Sequence, residues 1–364
     1  MNRRQTELLK AVLSQPVSPF HEGAVVEQVR RWATERGVTL RRDEAGNVVL
    51  RYRHGRAGRS KWVFAAHMDH PGFVVRRQRG RNVWADFRGW VTEAYMRSSR
   101  VRLFSPSGER CATIAAVRPL GRQRWWSCRL ELDAPADVPP GTIGMWSVPP
   151  WRRRGTRLSA RACDDLAGTA SILCALDEIA RRRIAADVTG LLTRAEEAGF
   201  VGALAACRLG TIEPDALVVA IEASKAQPDA PLGGGAVIRV GDRMRTFDPA
   251  LTAHISAVAG ELAKKRPSLR FQRRLMPGGT CESTVYAAFG HRAAALCLPL
   301  GNYHNMGPAN RIRPEQIDLQ DFAGLVELLV ALAASNRSPA DTEAKLRARL
   351  AAIWDQRCHF LEEG

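Results

Sequence analysis

Five places in the chain gather imidazole and carboxylate side chains: His67 with Asp69, Asp164-Asp165, Glu196-Glu197, Glu222 and His304. Four of them stand at the end of an apolar, strand-like run. Residues 61–66 precede His67, 188–193 precede Glu196-Glu197, 216–221 precede Glu222, and 293–298 precede His304. In open α/β sheets, ligands bind beyond the carboxyl ends of the strands. Two imidazoles and several carboxylates at such ends suit two borderline-hard divalent ions, zinc, cobalt or manganese. Each group also has an ordinary reading when taken singly. His67 reads as a hydrogen-bonded histidine at a sheet edge, and Asp164-Asp165 as a helix N-cap. Glu196-Glu197 reads as a solvated loop, and His304 as an exposed histidine in a Gly/Asn/Pro-rich segment. Glu222 is harder to set aside, because an unpaired carboxylate at the end of so apolar a run is costly. The repeated placement at strand ends, more than any single residue, points to a metal site.

Such residues need elements to hold them. Gly23–Arg36 has the apolar spacing of a helix, with Val26, Val29, Trp32 and Ala33 on one face. Two short β-prone runs, 38–41 and 48–52, flank a turn cluster at 42–47. Helical spacing returns at 165–183, 200–209 and 250–264, and 314–335 reads as one long helix. Strands alternating with helices predict a doubly wound α/β sheet with helices on both faces. Between residues 73 and 154 the character differs. Short strand-like runs alternate with turn signals, and six of the nine tryptophans fall there. This predicts a small all-β, barrel-like domain inserted into the α/β domain, which then comprises residues 1–72 and 155–364. Most of those tryptophans are expected in its core.

The local strings resemble the glutamyl-aminopeptidase or tetrahedral-aminopeptidase family of di-metal peptidases over nearly the whole chain. His67-Met68-Asp69-His70-Pro71-Gly72-Phe73 is similar to its His-Met-Asp-Glu-x-Gly-Phe. Ala162-Cys163-Asp164-Asp165-Leu166-Ala167-Gly168 is similar to Ala-x-Asp-Asp-Arg-x-Gly, and Glu196-Glu197-Ala198-Gly199-Phe200-Val201-Gly202-Ala203 to Glu-Glu-x-Gly-x-x-Gly-Ala. Ser18–Glu22, Asp43–Asn47, Pro277–Thr280 and Pro299–His304 resemble further signatures. The resemblance implies a metal-dependent aminopeptidase that attacks peptides with a water activated by two metals. It implies one metal on His67 and Glu222, another on Glu197 and His304, and Asp164 bridging them with a cis peptide to Asp165. Asp69 would orient the His67 ring, and Glu196 would be the general base. Relatives assemble as dimers and dodecamers, so a homo-oligomer is expected. The chain departs from the pattern at Glu222, where the family has Asp. It departs again at Cys281-Glu282, where the family has Asp after Gly-Thr, and at Gly301-Asn302-Tyr303-His304-Asn305, where it has Arg-Tyr-x-His-Ser.

Charge and composition set the competing readings. The chain of 364 residues has 54 basic and 37 acidic side chains, a formal charge of +17, and 48 of the basic residues are arginine. The same metal set could serve a related amidohydrolase or deacylase acting on a non-peptide amide. From a different class, the charge alone would suit a basic polyanion-binding protein. Yet the arginines come in pairs and triplets scattered along the chain, which reads as a solvated surface. No RNP-like string, zinc knuckle or basic helix accompanies them. No run of eighteen apolar residues is present, so no membrane-spanning helix is expected. The eight cysteines form no Cys-x-x-Cys pair, and the first fifteen residues lack a secretory pattern, so a cytoplasmic location is expected. Titration with single- and double-stranded nucleic acid should therefore give only weak, salt-labile association. Binding at near-physiological salt tighter than the non-specific range of roughly 10⁻⁴–10⁻⁶ M would restore the polyanion reading.

Overall fold

The computed structural model describes residues 1–55, 60–121 and 125–362. The chain opens with α1 (Arg3–Leu13) and α2 (Gly23–Arg36), then β1 (Thr39–Arg42), β2 (Val48–His54) and β3 (Lys61–His67). Six strands follow: β4 (Gly72–Arg79), β5 (Asn82–Arg88), β6 (Arg100–Ser105), β7 (Gly108–Leu120), β8 (Trp125–Leu132) and β9 (Ile143–Trp146). Next come β10 (Trp151–Arg154), β11 (Arg157–Ala160), α3 (Leu166–Arg181), β12 (Ala186–Thr193), α4 (Val201–Arg208), β13 (Leu217–Lys225) and β14 (Ala236–Gly241). The chain then forms α5 (Pro249–Lys265), β15 (Phe271–Leu275), α6 (Glu282–Ala288), β16 (Arg292–Leu300), β17 (Glu315–Asp318), α7 (Leu319–Ala334) and α8 (Pro339–Arg357).

Over the described residues the main sheet runs β1-β2-β12-β3-β13-β16-β14-β15. Its centre, β12, β3, β13 and β16, is parallel, whereas β2 and β14 pair antiparallel at either side. Side chains of a strand alternate between faces, and β3 shows what that achieves. Trp62, Phe64 and Ala66 pack with α1, α2, α3, α5 and α7 on one face, while Val63 and Ala65 pack with α4 and α6 on the other. Both faces are therefore covered, and a parallel core strand has to be apolar throughout. Helix α3, the most buried, starts at Asp165, whose carboxylate accepts the Gly168 N–H at 3.1 Å.

Strands β4–β9 close into a barrel in the order β4-β5-β8-β7-β6-β9. It joins the sheet directly after His67 and Asp69, so its first strand leaves from the edge that carries those groups. Strand β10 belongs elsewhere: it pairs with β11, which pairs with β17, outside the barrel.

Three expectations need correction. Strand β13 does not end at Glu222; it continues to Lys225, paired with β16 through Lys225↔Leu300, so Glu222 projects from within the strand. The stretch 314–335 is not one helix. Glu315–Asp318 is a strand that pairs with β11, and the helix starts only at Leu319, capped by Asp318. The barrel core is not built mainly of tryptophan. Of the six, only Trp146 is fully buried, packed edge-on against Phe73 at 5.1 Å. Trp84 lies on the outer face with the Arg77 guanidinium 3.7 Å from its ring centre, and Trp90 is exposed. Alternating Val, Ala, Phe and Leu side chains fill the interior instead.

Candidate functional site

Four of the five groups singled out in the sequence arrive at the carboxyl edge of the parallel strands, and the fifth joins them from the start of α3. His67 Nε2 lies 3.4 Å from Asp164 Oδ1, 3.8 Å from Glu222 Oε2 and 3.9 Å from Glu196 Oε2. His304 Nε2 lies 3.1 Å from Glu197 Oε1 and 3.6 Å from Asp164 Oδ2. Three groups of potential metal ligands result, His67–Asp164–Glu222, Asp164–Glu197–His304 and His67–Glu196–Glu197, and the first two share Asp164. All these side chains are buried or nearly so. The Asp164-Asp165 peptide is cis.

His67, Asp164, His304 and the Glu196-Glu197 backbone are held by partners that the strand ends alone do not supply. Asp69 sits beneath His67, with Oδ1 3.4 Å from His67 Nδ1. The same carboxylate accepts the Glu196 N–H at 2.9 Å and the Glu197 N–H at 3.1 Å. It thus orients one imidazole and the backbone of both glutamates. Glu315 does the corresponding work opposite. Its oxygens accept the N–H groups of Cys163 at 2.6 Å, Asp164 at 3.0 Å and His304 at 2.8 Å. The β11–β17 pairing brings it there, with Ala160 opposite Glu315. His304 Nδ1 faces the Trp90 carbonyl at 2.7 Å, a contact made by the loop after β5. His70 bridges the Asp164 carbonyl at 2.6 Å and Asn305 Oδ1 at 2.9 Å.

The N-terminal signatures fasten the glutamate loop. Glu22 accepts the Ala195 N–H at 3.1 Å and the Arg194 Nε–H at 2.7 Å. Asn47 accepts the Arg194 N–H at 3.1 Å and donates to the Gly202 carbonyl at 3.0 Å. These anchors hold Ala195 at φ +51°, a conformation a non-glycine residue keeps only when its surroundings impose it.

Glu315, Glu22, His70 and Asn305 were not assigned positioning roles by sequence reasoning. Glu315 was hidden within the stretch read as the start of a helix. Glu22, His70 and Asn305 stood inside recognised strings, but their partners are distant in sequence. The departure at Cys281-Glu282 does not reach the cleft. The cavity above the carboxylates, about 530 Å³, is lined there by Thr280, while Glu282 is buried against Tyr286. Asn302 and Tyr303 do line it, together with Trp90, Ser224, Lys225 and Arg239.

The electrostatics follow from this crowding. Burial opposes a charged His67, but Glu196, Asp164, Asp69 and Glu222 hold its pKa well above the ordinary value. His304 behaves alike, raised chiefly by Glu197 and Asp164 against the cost of burial. Burial would raise Asp164, yet the two imidazoles hold it below the usual carboxylate range. Burial drives the Glu196 carboxyl well above its ordinary value, and Glu222, Glu197 and Asp69 add to this against the pull of His67. Asp164 Oδ1, Glu197 Oε1 and Glu222 Oε1 are buried with no hydrogen-bond partner. Unpartnered buried carboxylate oxygens beside one another are costly unless a cation sits between them. Oxygen and imidazole donors in this number suit divalent metals.

A sequence model of the M42 glutamyl aminopeptidases matches residues 131–320, more than half of the chain. The chain belongs to this family. Members are metal-dependent peptidases, so the chain is a peptide-hydrolysing enzyme, and the donor set is consistent with metal dependence. No curated protein sequence matches significantly. Solved structures do. The TET1 peptidase of Pyrococcus horikoshii shares 20% identity over 90% of this chain and 99% of its own, with a TM-score of 0.74. An aminopeptidase from Desulfurococcus kamchatkensis shares 20% over 94% and 97%, with a TM-score of 0.75. A TET aminopeptidase from a marine-sediment Thaumarchaeota archaeon shares 17% over 91% and 97%, with a TM-score of 0.74. At these identities the likeness shows a shared fold.

Asp69→Asn should weaken metal retention by roughly 10–100-fold, the usual effect of losing a carboxylate behind a histidine ligand. An asparagine also turns an amide N–H₂ toward one of the two backbone donors it must accept. Chelator titration followed by metal analysis checks this, and unchanged retention would remove the orienting role.

Proposed function

We propose that the chain is a two-metal aminopeptidase that removes N-terminal residues from peptides, with His67, Asp164 and Glu222 holding one ion and Asp164, Glu197 and His304 the other. The observation that carries this reading is the pair of ligand sets sharing Asp164, with unpartnered carboxylate oxygens in both. When bound, such ions lower the pKa of a water and polarise the scissile carbonyl; zinc is the ion we favour. Glu196 lies outside the two sets that share Asp164, beside Glu197 and 3.9 Å from His67 Nε2, where it is placed to take a proton from water at a carboxylate oxygen and deliver it to the leaving amine. Asp69 keeps that carboxylate in place through the Glu196 N–H, and so couples the base to the His67 ring.

The cavity wall supports a substrate preference. Arg239 is buried, donates from Nη1 to Ser224 Oγ at 2.9 Å, and its Nε has no partner. Among the described residues it has no ion-pair partner. A buried guanidinium opening on the cleft beside Lys225 is completed by an acidic side chain at the substrate N-terminus. The TET1 peptidase of P. horikoshii assembles into a tetrahedron or an octahedral shell. By extension we propose a homo-oligomer here, working in the cytoplasm.

Glu196→Gln should keep its metal while kcat falls by about 10²–10⁴-fold. Near-normal turnover, measured with metal content on the same sample, would sink the base assignment. On a panel of aminoacyl chromophores, glutamyl and aspartyl substrates should exceed leucyl. Arg239→Met should abolish the difference, a loss of roughly ten- to hundredfold in kcat/KM for the acidic substrates alone. A wild-type enzyme that prefers leucyl substrates would overturn the Arg239 reading and leave the peptidase reading intact.

A further inference from the structure

Helix α8 is fastened to the body only at its start. Ser338 accepts the Asp341 N–H in a capping box, Pro339 is the helix's buried residue, and Thr342 meets His254 at 2.9 Å. From residue 344 to 357 every side chain is exposed, on all sides of the helix. Leu346, Leu350, Ile353 and Trp354 nonetheless form one stripe, and Phe360 and Leu361 extend the apolar surface beyond the helix. Trp354 is 61% exposed and Leu350 56%. In proteins most of a helix's stability comes from packing its apolar face, which α8 lacks over more than three turns. A stripe of this size on a soluble protein marks a contact surface.

The ends of the stripe say what fits it. Positions 343, 346, 350, 353 and 357 follow one another at spacings of three and four, the pattern of a helix-pairing seam. The seam reads Glu-Leu-Leu-Ile-Arg, acidic at its N-terminal end and basic at its C-terminal end. Neither Glu343 nor Arg357 has an ion-pair partner among the described residues. We infer that α8 pairs antiparallel with α8 of a second copy of this chain, about a two-fold axis near Leu350. That arrangement sets Glu343 of each copy beside Arg357 of the other, twice by symmetry, with the apolar residues between. A parallel pair would stack Arg357 on Arg357 and Glu343 on Glu343. The seam is thus complementary to itself in one orientation only.

Cysteine cross-linking of the full chain tests this without reference to any other assembly contact. In a Cys358→Ser background, Leu350→Cys should give a covalent dimer under mild oxidation, because residues on the axis face their own copies. Ala348→Cys, on the opposite side of the helix, should not. Arg357→Glu should lower the Leu350→Cys dimer yield roughly fivefold, as expected for turning two exposed attractive pairs repulsive. Adding Glu343→Arg should restore it. No dimer at Leu350→Cys, equal cross-linking at Ala348→Cys, or no rescue by the double charge reversal would each overturn the proposal. A helix that docks instead on the body of another copy, or on a different protein, gives the first of these results. No residue of α8 lines the cleft, so peptide hydrolysis should be unchanged in all variants, and failure of pairing and failure of the peptidase reading are separable.

Discussion

Convergence of like charge at one edge of a sheet is the constraint on which the rest of the structure depends. Asp164, Glu196, Glu197 and Glu222 meet in a largely buried space at the wall of the cleft, and two imidazoles only partly offset them. A chain folds this way only if the carboxylates are held by something stronger than their repulsion. Asp69 and Glu315 are that restraint. Both are fully buried, and both direct both oxygens at backbone N–H groups of the ligand-bearing segments. The site is therefore a ring of candidate ligands mounted on two buried carboxyl groups that fasten backbone, which fixes where several side chains start at once.

Burial of the mounts explains the reach of the site across the fold. Glu22 and Asn47, from the first fifty residues, tie down the loop that carries Glu196 and Glu197. Gly202 sits so close to Arg194 and Asn47 that a Cβ there would collide with all three groups it faces, so the close turn of this loop requires glycine. The barrel adds the Trp90 carbonyl behind His304. Contributions thus come from the N-terminal segment, the barrel and the last strand, which makes the α/β part and its insertion parts of one site.

What could be read from the sequence was what repeats locally. A buried parallel strand announces itself as an apolar run, and the polar residue that ends it announces an exit, so His67, Glu197 and His304 were legible. Glu222 was legible as a candidate site residue but misplaced along its strand, because Ala223 and Ser224 are as compatible with a turn as with a strand; only pairing with β16 decides. Glu315 was not legible. A four-residue strand has no measurable period, and Pro314 followed by Glu-Gln reads as the first turn of α7. The tryptophans misled for a related reason. Composition counts large apolar residues but not which face of a strand they occupy; Trp84 and Trp125 lie outside the barrel core beneath Arg77 and Arg88, and Trp90 is exposed. Arg239 disappeared in an average: among 48 arginines, one buried beside a cleft carries no local mark.

Two departures from the family pattern that look independent in sequence meet in space. The chain has His70 where the family motif has Glu, and Asn305 where it has Ser. In the structure His70 Nε2 faces Asn305 Oδ1. The Asn305 amide N–H₂ donates to the Arg161 and Arg313 carbonyls, so its oxygen is left to meet the imidazole. The other ring nitrogen faces the Asp164 carbonyl. Burial pulls the His70 pKa down to about 4, against those two hydrogen bonds. A neutral ring has a single N–H, so two acceptors compete for one proton. Flipping the Asn305 amide would relieve His70 but strand the Arg161 and Arg313 carbonyls. Replacing Asn305 alone would strand the Arg161 and Arg313 carbonyls that its amide serves. In this chain the pair holds the Asp164 backbone, while the Asp164 side chain lies between His67 and His304.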